Sequence, residues 1–310
     1  MSALELATFD REYEALREGR TIIHLDGWSS ISITGTDRQA FLNNFCTNDV
    51  KRLSLGESCE AFFTNVKGKT IGHGVIWCRE RELVFFGAPF QGRVLAEHLD
   101  RYIIREDVQV RDTTTERTFL LVGSHALNAE WSLNSITWNL SGNNGSKIVE
   151  VSSASGADSS LAPDDPETAA AKSKALAAAR IEAGVPLYGV DFDESNFPQE
   201  VGRDREAISF TKGCYLGQET VARIDALGHV NQRIVGVAFS GDEVPWPEME
   251  LTYNAAKVGE VTSATFSPAI SRPLAFAIVR REAHSVGTQL ESRIGDAEII
   301  ALPVGRPATT

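Results

Sequence analysis

The sequence after Val230 limits the possible folds more than any other segment, because it consists of short apolar runs separated by prolines and glycines. Short strand-like runs between turn residues are typical of a small β-barrel or β-sandwich. We therefore predict a separate β-domain over residues 231–310. Its expected strands are Ile234–Phe239, Lys257–Thr262, Leu274–Val279 and Glu298–Leu302.

The first 230 residues mix strand-like and helix-like patterns. Strand patterns cover Cys59–Asn65 and Thr70–Trp77, with a turn between them, and a third apolar strand covers Leu83–Phe86. A helix over Gln91–Ile104 follows, with its apolar residues on one face. Three strands followed by a helix predict an α+β arrangement for this region.

Capping signals predict where two other helices begin. Thr36 and Gln39 have the spacing of a capping box, which predicts the start of a short helix. Asp165 is the expected N-cap of a longer, alanine-rich helix that continues to Ala183, because a proline follows it at the first helical position. The segment 152–164 before this helix is rich in small polar residues and is predicted to be a surface loop.

Composition excludes several classes of function. The 310 residues contain 30 Lys and Arg against 42 Asp and Glu, and the resulting net charge of −12 argues against an extended nucleic-acid surface. The four cysteines form no CxxC pair and have no zinc-like spacing with the six histidines, so we expect a reduced, cytoplasmic protein without a disulfide framework and without a metal site. The N-terminus is too polar for a signal peptide, and no apolar run is long enough to span a membrane.

The segment FTKGCYLGQETVAR, Phe210–Arg223, has the composition of a binding site. Its KGCYLGQE part combines a cation, a thiol, an aromatic ring, an amide and a carboxylate with two glycines, which allow close approach of the backbone to a ligand. A tight turn before a helix that starts at Gln218, with Cys214 and Tyr215 packed at its base, explains the same residues. Local spacing alone favours neither interpretation.

KGCYLGQE, followed by VAR and GHVNQR, resembles the signature of the YgfZ/IBA57 group, folate-binding relatives of the glycine-cleavage T-protein, which is an aminomethyltransferase. The segment Arg180–Glu200 is similar to the T-protein segment that precedes the end of the folate-binding region, and weaker similarities lie at Phe41–Val50 and Phe62–Ile76. The resemblance implies a T-protein-like region of interleaved α/β subdomains over residues 1–230, followed by the C-terminal β-barrel. It also implies tetrahydrofolate, or a one-carbon derivative of it, as the cofactor.

Folate recognition requires a carboxylate that accepts two hydrogen bonds from the edge of the pterin ring. Glu182 lies in the Arg-Ile-Glu triplet that matches the T-protein pattern and is the first candidate, while Glu200, Glu194 and Asp193 are reserve candidates. A glutamate at the end of a helix, paired with Arg180 in solvent, is the structural alternative for Glu182.

The remaining ligand-binding candidates surround the KGCYLGQE motif. Tyr188 and Tyr215 are candidate walls for the aromatic rings of folate, and core packing is the alternative for each. The glutamate tail of folate is anionic and requires a cation, although a solvated charged face is the ordinary role of any single one. The candidate cations are Lys212, Arg205, Arg223 and Arg233.

Two residues are candidates for chemistry. Cys214, near Lys212, is a candidate nucleophile, redox sensor or transient metal ligand, with burial in the core as the alternative. The resemblance implies acid–base catalysis by an aspartate, which in T-proteins lies on the strand that corresponds here to Thr70–Cys78. That strand contains no acidic residue in this chain, and His73 falls at the matching position. A neutral imidazole can relay a proton but cannot stabilise an iminium cation, and His73 equally fits a packed histidine.

The resemblance implies a folate-binding protein of the YgfZ/IBA57 type that supports the assembly or repair of iron–sulfur proteins, with assembly or client proteins as partners. Cys214 and the absence of a carboxylate on the strand favour this hypothesis. A tetrahydrofolate-dependent aminomethyltransferase is the alternative, and an interaction scaffold without folate affinity is a third hypothesis. The sequence leaves open whether the protein turns over a substrate.

Overall fold

The structure is a computed structural model that describes residues 3–128, 131, 135–142, 145–151 and 164–303. The loop predicted over 152–164 lies outside these residues, except for Asp164. Before residue 231, the described elements are α1 (Ala3–Arg17), β1 (Ile22–His24), β2 (Ser29–Thr34), α2 (Arg38–Asn43), β3 (Ser58–Thr64), β4 (Thr70–Cys78), β5 (Glu82–Gly87), α3 (Gly92–Asp100), β6 (Gln109–Asp112), β7 (Thr118–Val122), β8 (Ser135–Ile136), β9 (Lys147–Val151), α4 (Pro166–Ala183), α5 (Pro198–Val201), α6 (Asp204–Ala207) and α7 (Gln218–Leu227).

These elements form two antiparallel sheets. The first has the strand order β3-β4-β5-β2-β6, and the second has the order β1-β7-β9-β8. Leu42 of α2 and Leu95 of α3 are buried on one side of the first sheet together with Phe85 of β5. The opposite face shares a core with the second sheet and with α1 and α4, in which Phe86 and Phe119 are buried together.

The local signals for α4 are confirmed, whereas the short helix α2 is present without its predicted capping box. The Asp165 carboxylate accepts hydrogen bonds from two backbone N–H groups of the first turn of α4, and Gly184 ends that helix with a φ of 73°. Helix α2 starts after Asp37 without a side-chain cap. The Thr36 hydroxyl donates to Asp107 instead, and the Gln39 amide donates to a carbonyl outside the helix, so tertiary contacts replace the predicted capping box.

The C-terminal strands close into a six-stranded barrel with the order β10-β13-β12-β11-β14-β15. The prediction of an α+β region followed by a C-terminal β-barrel is therefore confirmed, while its division at residues 230 and 231 stays a prediction. Among the described residues, none of the helices combines the length and apolar character that a membrane span requires. The barrel strands are β10 (Gln232–Phe239), β11 (Glu250–Tyr253), β12 (Ala256–Ser267), β13 (Arg272–Arg280), β14 (Gln289–Ser292) and β15 (Gly295–Ile300).

A buried ion pair connects the barrel to α4. The Asp191 carboxylate, on the segment after α4, accepts a hydrogen bond of 2.7 Å from the guanidinium of Arg180. It also accepts hydrogen bonds from the hydroxyls of Thr262 and Ser263 at 3.0 and 2.5 Å. Successive side chains of a regular strand point to opposite faces, but the β12–β13 register shifts between Val261 and Ser263, and this bulge lets both hydroxyls reach one carboxylate.

We predict that Asp191→Asn lowers the free energy of unfolding by about 3 kcal/mol, because it leaves the buried Arg180 guanidinium without a counter-charge. Urea denaturation followed by tryptophan fluorescence measures this loss. The matched control is Glu260→Gln, whose half-exposed carboxylate pairs with Lys257 at 3.2 Å and should matter by less than about 0.5 kcal/mol. Equal stability of Asp191→Asn and the wild type would contradict the structural role of this pair.

Candidate functional site

A cavity of about 510 Å³ lies where the end of α4 meets the barrel and the segment around Arg203. Its volume lies within the range of about 300–1,000 Å³ that is typical of small-molecule sites. Among the residues proposed from sequence as ligand-binding or catalytic, Glu182 is the one that lines it. The other lining residues are Arg17, Asn139, Gly142, Ala183, Val185, Arg203, Glu206, Ala269 and Pro303.

Glu182 is buried and its carboxylate is held by donors from two domains. It accepts hydrogen bonds from the hydroxyls of Tyr13 at 2.7 Å and Ser267 at 2.5 Å, and from the backbone N–H of Ala269 at 3.3 Å. Burial, followed by the hydrogen bond to the Glu182 carboxylate, raises the pKa of Tyr13. The alternative of a solvent-exposed pair with Arg180 is wrong. A carboxylate offers about four acceptor positions and these donors occupy three, so Glu182 retains about one for a ligand.

A second carboxylate lies behind the cavity wall. Glu60 of β3 accepts two hydrogen bonds from the Arg203 guanidinium, at 2.8 and 2.6 Å, and lies 2.9 Å from Nε2 of His73. Burial by itself would raise the pKa of Glu60, but the hydrogen bonds and charges of Arg203 and His73 lower it to about 2. Because Arg203 also lines the cavity, it connects the cavity to His73 through Glu60.

His73 is almost completely buried among aromatic rings. Its ring stacks on Phe62 with centroids 4.4 Å apart, and it meets the edges of Phe192 and Trp138 at 5.6 and 6.0 Å. Since an ionised Glu60 can only accept, Nε2 of His73 donates a hydrogen bond to it. Within the described part of the chain, neither His73 Nδ1 nor the Trp138 indole N–H has a hydrogen-bond partner.

Glu60 was not predicted from the sequence, because the carboxylate was expected on β4. Phe62 of β3 pairs with His73 of β4 in the antiparallel register, so Glu60, two residues before Phe62, lies on the same face of the sheet as His73. A hairpin register assigned to the predicted strands would have identified this neighbour. Arg203 is 143 residues from Glu60 in sequence, and no local pattern indicates their pairing.

Lys212, at the start of KGCYLGQE, is buried and has a structural role. Its ammonium donates to the backbone carbonyls of Asn43 at 2.7 Å, Cys46 at 2.8 Å and Asn48 at 2.7 Å. Burial lowers the pKa of Lys212. An ammonium has three N–H donors, so this arrangement leaves none for the glutamate tail of a folate.

The other predicted site residues are dispersed. Tyr215 is buried with Phe62 and Phe192, and Tyr188 is half-buried with its ring 5.7 Å from that of Phe192. Glu200 is buried and accepts hydrogen bonds from the backbone N–H of Phe197 and from two side-chain amides. Five further candidates are exposed: Cys214, Arg223, Arg205, Asp193 and Glu194.

The positions of these residues test some of the alternative roles that the sequence left open for them. The exposed thiol of Cys214 excludes the packing interpretation of that residue, while its catalytic role stays a prediction. Glu200 is occupied in the first turn of α5, where it satisfies the start of the helix. Tyr188 and Tyr215 contact Phe192 or its cluster, next to His73, and their role as ligand walls also stays a prediction. In the residues described, no group of three or more side chains is arranged to hold a metal ion.

Comparisons with known proteins agree on the fold. Residues 5–138 match the model of the GCVT N-terminal domain, and residues 232–308 match that of the glycine cleavage T-protein C-terminal barrel domain. The crystal structure of the glycine cleavage system aminomethyltransferase T from Bartonella henselae superposes with a TM-score of 0.79 at 16% identity. The superposition covers 95% of this chain and 89% of the other, and it shows a shared fold.

Three relatives illustrate the sequence similarity. An aminomethyltransferase of Rubrobacter xylanophilus is 26% identical over 98% of this chain and 88% of its own length. A chloroplastic Arabidopsis thaliana protein that is named as a transferase is 26% identical over 90% of this chain and 70% of its own length. An aminomethyltransferase of Rippkaea orientalis is 33% identical, but this alignment spans 41% of the chain and 34% of that relative.

We predict that Lys212→Met destabilises the protein by about 2–4 kcal/mol, because it leaves three buried carbonyls without their donor. Urea denaturation is the measurement, and Cys214→Ser, at an exposed position of the same motif, is the control. The control should change the free energy of unfolding by less than about 0.5 kcal/mol. A stable Lys212→Met protein would mean that Lys212 is available for a ligand.

We predict that Glu60→Gln costs about 3 kcal/mol of stability at pH 7, since the pKa of Glu60 falls from 4.5 to about 2 on folding. A carboxylate whose pKa is lowered by folding stabilises the protein at pH values above its unfolded-state pKa. This contribution is therefore lost as the pH falls from 4.5 towards 2. Denaturation between pH 7 and pH 3 should show the two proteins converging. The exposed Glu282→Gln is the control, and a difference independent of pH would contradict the ionised state of Glu60.

Proposed function

We propose that this chain, which belongs to the GcvT-like aminomethyltransferase superfamily, binds tetrahydrofolate in the cavity lined by Glu182 and uses it in one-carbon transfer. The position of Glu182 carries the proposal. It is a buried carboxylate at the wall of a cavity, and donors from α1 and from the barrel hold it in place. The matched relatives that are named aminomethyltransferase support transfer of an aminomethyl group as the reaction.

The composition of the cavity fits a folate. A pterin edge carries N–H donors, and Glu182 offers the charged acceptor that such an edge requires. The guanidinium groups of Arg17 and Arg203 line the same cavity, and that of Arg203 is paired with Glu60. Val185 and Pro303 add apolar wall. A site that combines a few convergent polar groups with apolar wall is typical of pockets for small molecules.

The residues next to the cavity can manage a proton. Tetrahydrofolate, when bound, supplies the nitrogen atoms that carry a one-carbon unit. Glu60 accepts a hydrogen bond from Nε2 of His73 and so orients the imidazole among aromatic rings, which makes His73 the candidate for a proton relay. The chain therefore supplies a carboxylate beside His73 from β3, although β4 has none. Arg203 balances the charge of this carboxylate, so Glu60 can orient His73 but does not replace the aspartate as a stabiliser of an iminium cation.

A protein of the YgfZ type, which binds folate and supports iron–sulfur assembly, is the second candidate. The observation that favours it is Cys214, an exposed free thiol within KGCYLGQE that lies outside the described lining of the Glu182 cavity. Iron–sulfur assembly or client proteins would then be partners. The proposal also includes a reducing compartment such as the cytoplasm, because all four cysteines are free.

Formation of methylene-tetrahydrofolate from an aminomethyl donor distinguishes the two candidates, since only the transferase produces it.

We predict that the protein binds tetrahydrofolate with micromolar affinity, on the order of −8 kcal/mol, and that Glu182→Gln weakens binding by at least about tenfold. The loss is expected because an amide places a donor where the pterin edge also donates. Isothermal titration with tetrahydrofolate and 5-formyltetrahydrofolate measures it. Glu219→Gln, an exposed glutamate within KGCYLGQE, is the control for the change of charge.

The thermal midpoint of each variant separates a binding defect from a folding defect, since Glu182 also holds Tyr13 and Ser267. Unchanged affinity in a folded Glu182→Gln protein would place the ligand elsewhere. Absence of binding by the wild type would leave the interaction-scaffold hypothesis.

A further inference from the structure

The Glu182 carboxylate has fewer free acceptor positions than the edge of a pterin ring requires. Each carboxylate oxygen offers about two such positions. Oε1 of Glu182 accepts hydrogen bonds from the Ser267 hydroxyl at 2.5 Å and from the backbone N–H of Ala269 at 3.3 Å. Oε2 accepts one hydrogen bond, from the Tyr13 hydroxyl at 2.7 Å. Oε1 is therefore fully occupied, whereas Oε2 retains about one position.

A pterin edge presents two neighbouring donors, which are the N3–H and the 2-amino group. A bidentate contact with a carboxylate directs one donor to each oxygen. Oε2 of Glu182 can accept the first donor without any change in its surroundings. The second donor needs a position on Oε1, so one of the two groups that already donate to Oε1 has to leave it.

Ser267 is the group that can leave. A serine side chain moves its hydroxyl to another staggered rotamer by turning about one bond. The N–H of Ala269 belongs to the main chain and directly follows Pro268, whose ring restricts the backbone dihedral angle φ. Displacement of that N–H would shift the backbone at the end of β12, whereas displacement of the hydroxyl moves a single side chain.

We propose that the Ser267 hydroxyl competes with the folate for Oε1 of Glu182 and leaves this oxygen when the ligand binds. This inference deepens the proposed function and rests on it. Ser267 is completely buried, so its displaced hydroxyl loses a charged acceptor, and this loss offsets part of the stabilisation by the second ligand donor. Ser267 thereby sets how strongly the site distinguishes a ligand edge with two donors from an edge with one.

The rearrangement leaves α4 attached to the barrel. The Arg180 guanidinium donates to the Ser263 hydroxyl at 3.0 Å and to Asp191 at 2.7 Å. The Asp191 carboxylate also accepts a hydrogen bond of 2.5 Å from Ser263. These contacts hold α4 against β12 while Ser267 turns, so ligand binding exchanges one hydrogen bond at Glu182 and does not separate the two elements.

The test is isothermal titration of the wild type and Ser267→Ala with two ligands, tetrahydrofolate and an otherwise identical derivative that lacks the 2-amino group. We expect Ser267→Ala to bind tetrahydrofolate about five- to tenfold more tightly, because alanine leaves the position on Oε1 open. Affinity for the derivative should change by less than about twofold, because its single donor uses Oε2. A purely structural role of Ser267 would instead weaken the binding of both ligands.

Three further variants sharpen the test. Ser267→Cys keeps a side chain of similar size with a weaker donor, so its affinity for tetrahydrofolate should lie between those of the wild type and Ser267→Ala. Thr265→Val is the matched control, because it removes a hydroxyl of the same strand that donates to the carbonyl of Phe266 at 3.1 Å. Tyr13→Phe removes a donor from Oε2, where a position is already free, and should weaken binding because the carboxylate loses a group that orients it.

Thermal midpoints of all variants establish that the proteins compared are folded. Unchanged or weaker binding of tetrahydrofolate by folded Ser267→Ala and Ser267→Cys proteins would overturn the inference and leave the proposed function intact. Equal tightening by Ser267→Ala and Thr265→Val would overturn it as well. Failure of the wild type to bind either ligand would overturn the proposed function and this inference with it.

Discussion

The polar contacts between the end of α4 and strand β12 are the interactions on which the site depends. Arg180 and Glu182 lie near the end of this helix, and each is connected to the barrel. Arg180 reaches Ser263 directly and through Asp191, while Glu182 accepts a hydrogen bond from Ser267. A buried charge that loses its partner destabilises a protein, so separating the helix from the barrel is strongly unfavourable. The same contacts fix Glu182 at the cavity wall, so the stability of the domain boundary and the geometry of the site have one cause.

Glu60, Arg203 and His73 form a buried triad, and its charge state limits the chemistry that the site supports. Glu60 stays ionised inside the protein because Arg203 donates two hydrogen bonds to it and His73 a third. Its negative charge is therefore largely balanced by the guanidinium, and little of it remains to stabilise a cation on a bound ligand. The hydrogen bond from His73 to Glu60 still orients the imidazole, because it does not require an unbalanced charge. The triad thus suits orientation of the His73 imidazole rather than electrostatic stabilisation of an iminium ion, and this distinguishes it from a single strand aspartate.

Local sequence signals predicted elements well where the structure uses local interactions. The start and end of α4 follow from Asp165 and Gly184, whose contacts lie within the helix itself. The barrel follows from its short runs and turns. The capping box at Thr36 and Gln39 was wrong because Asp107, which is 71 residues from Thr36, takes the hydroxyl that would have capped the helix. A local motif fails when a distant acceptor competes for the same donor, and sequence alone does not reveal that competitor.

The site was predictable to the same extent. Glu182 was identified through its triplet, whereas Glu60 and Arg203 depend on strand register and on a long-range pair. KGCYLGQE shows why composition alone misleads: Lys212 is consumed by three backbone carbonyls and Tyr215 is buried, so two of its functional-looking groups build the fold. Cys214, between them, has an exposed free thiol. Because the thiol lies outside the Glu182 cavity, ligand binding and thiol chemistry can change independently, and a substitution at one need not impair the other.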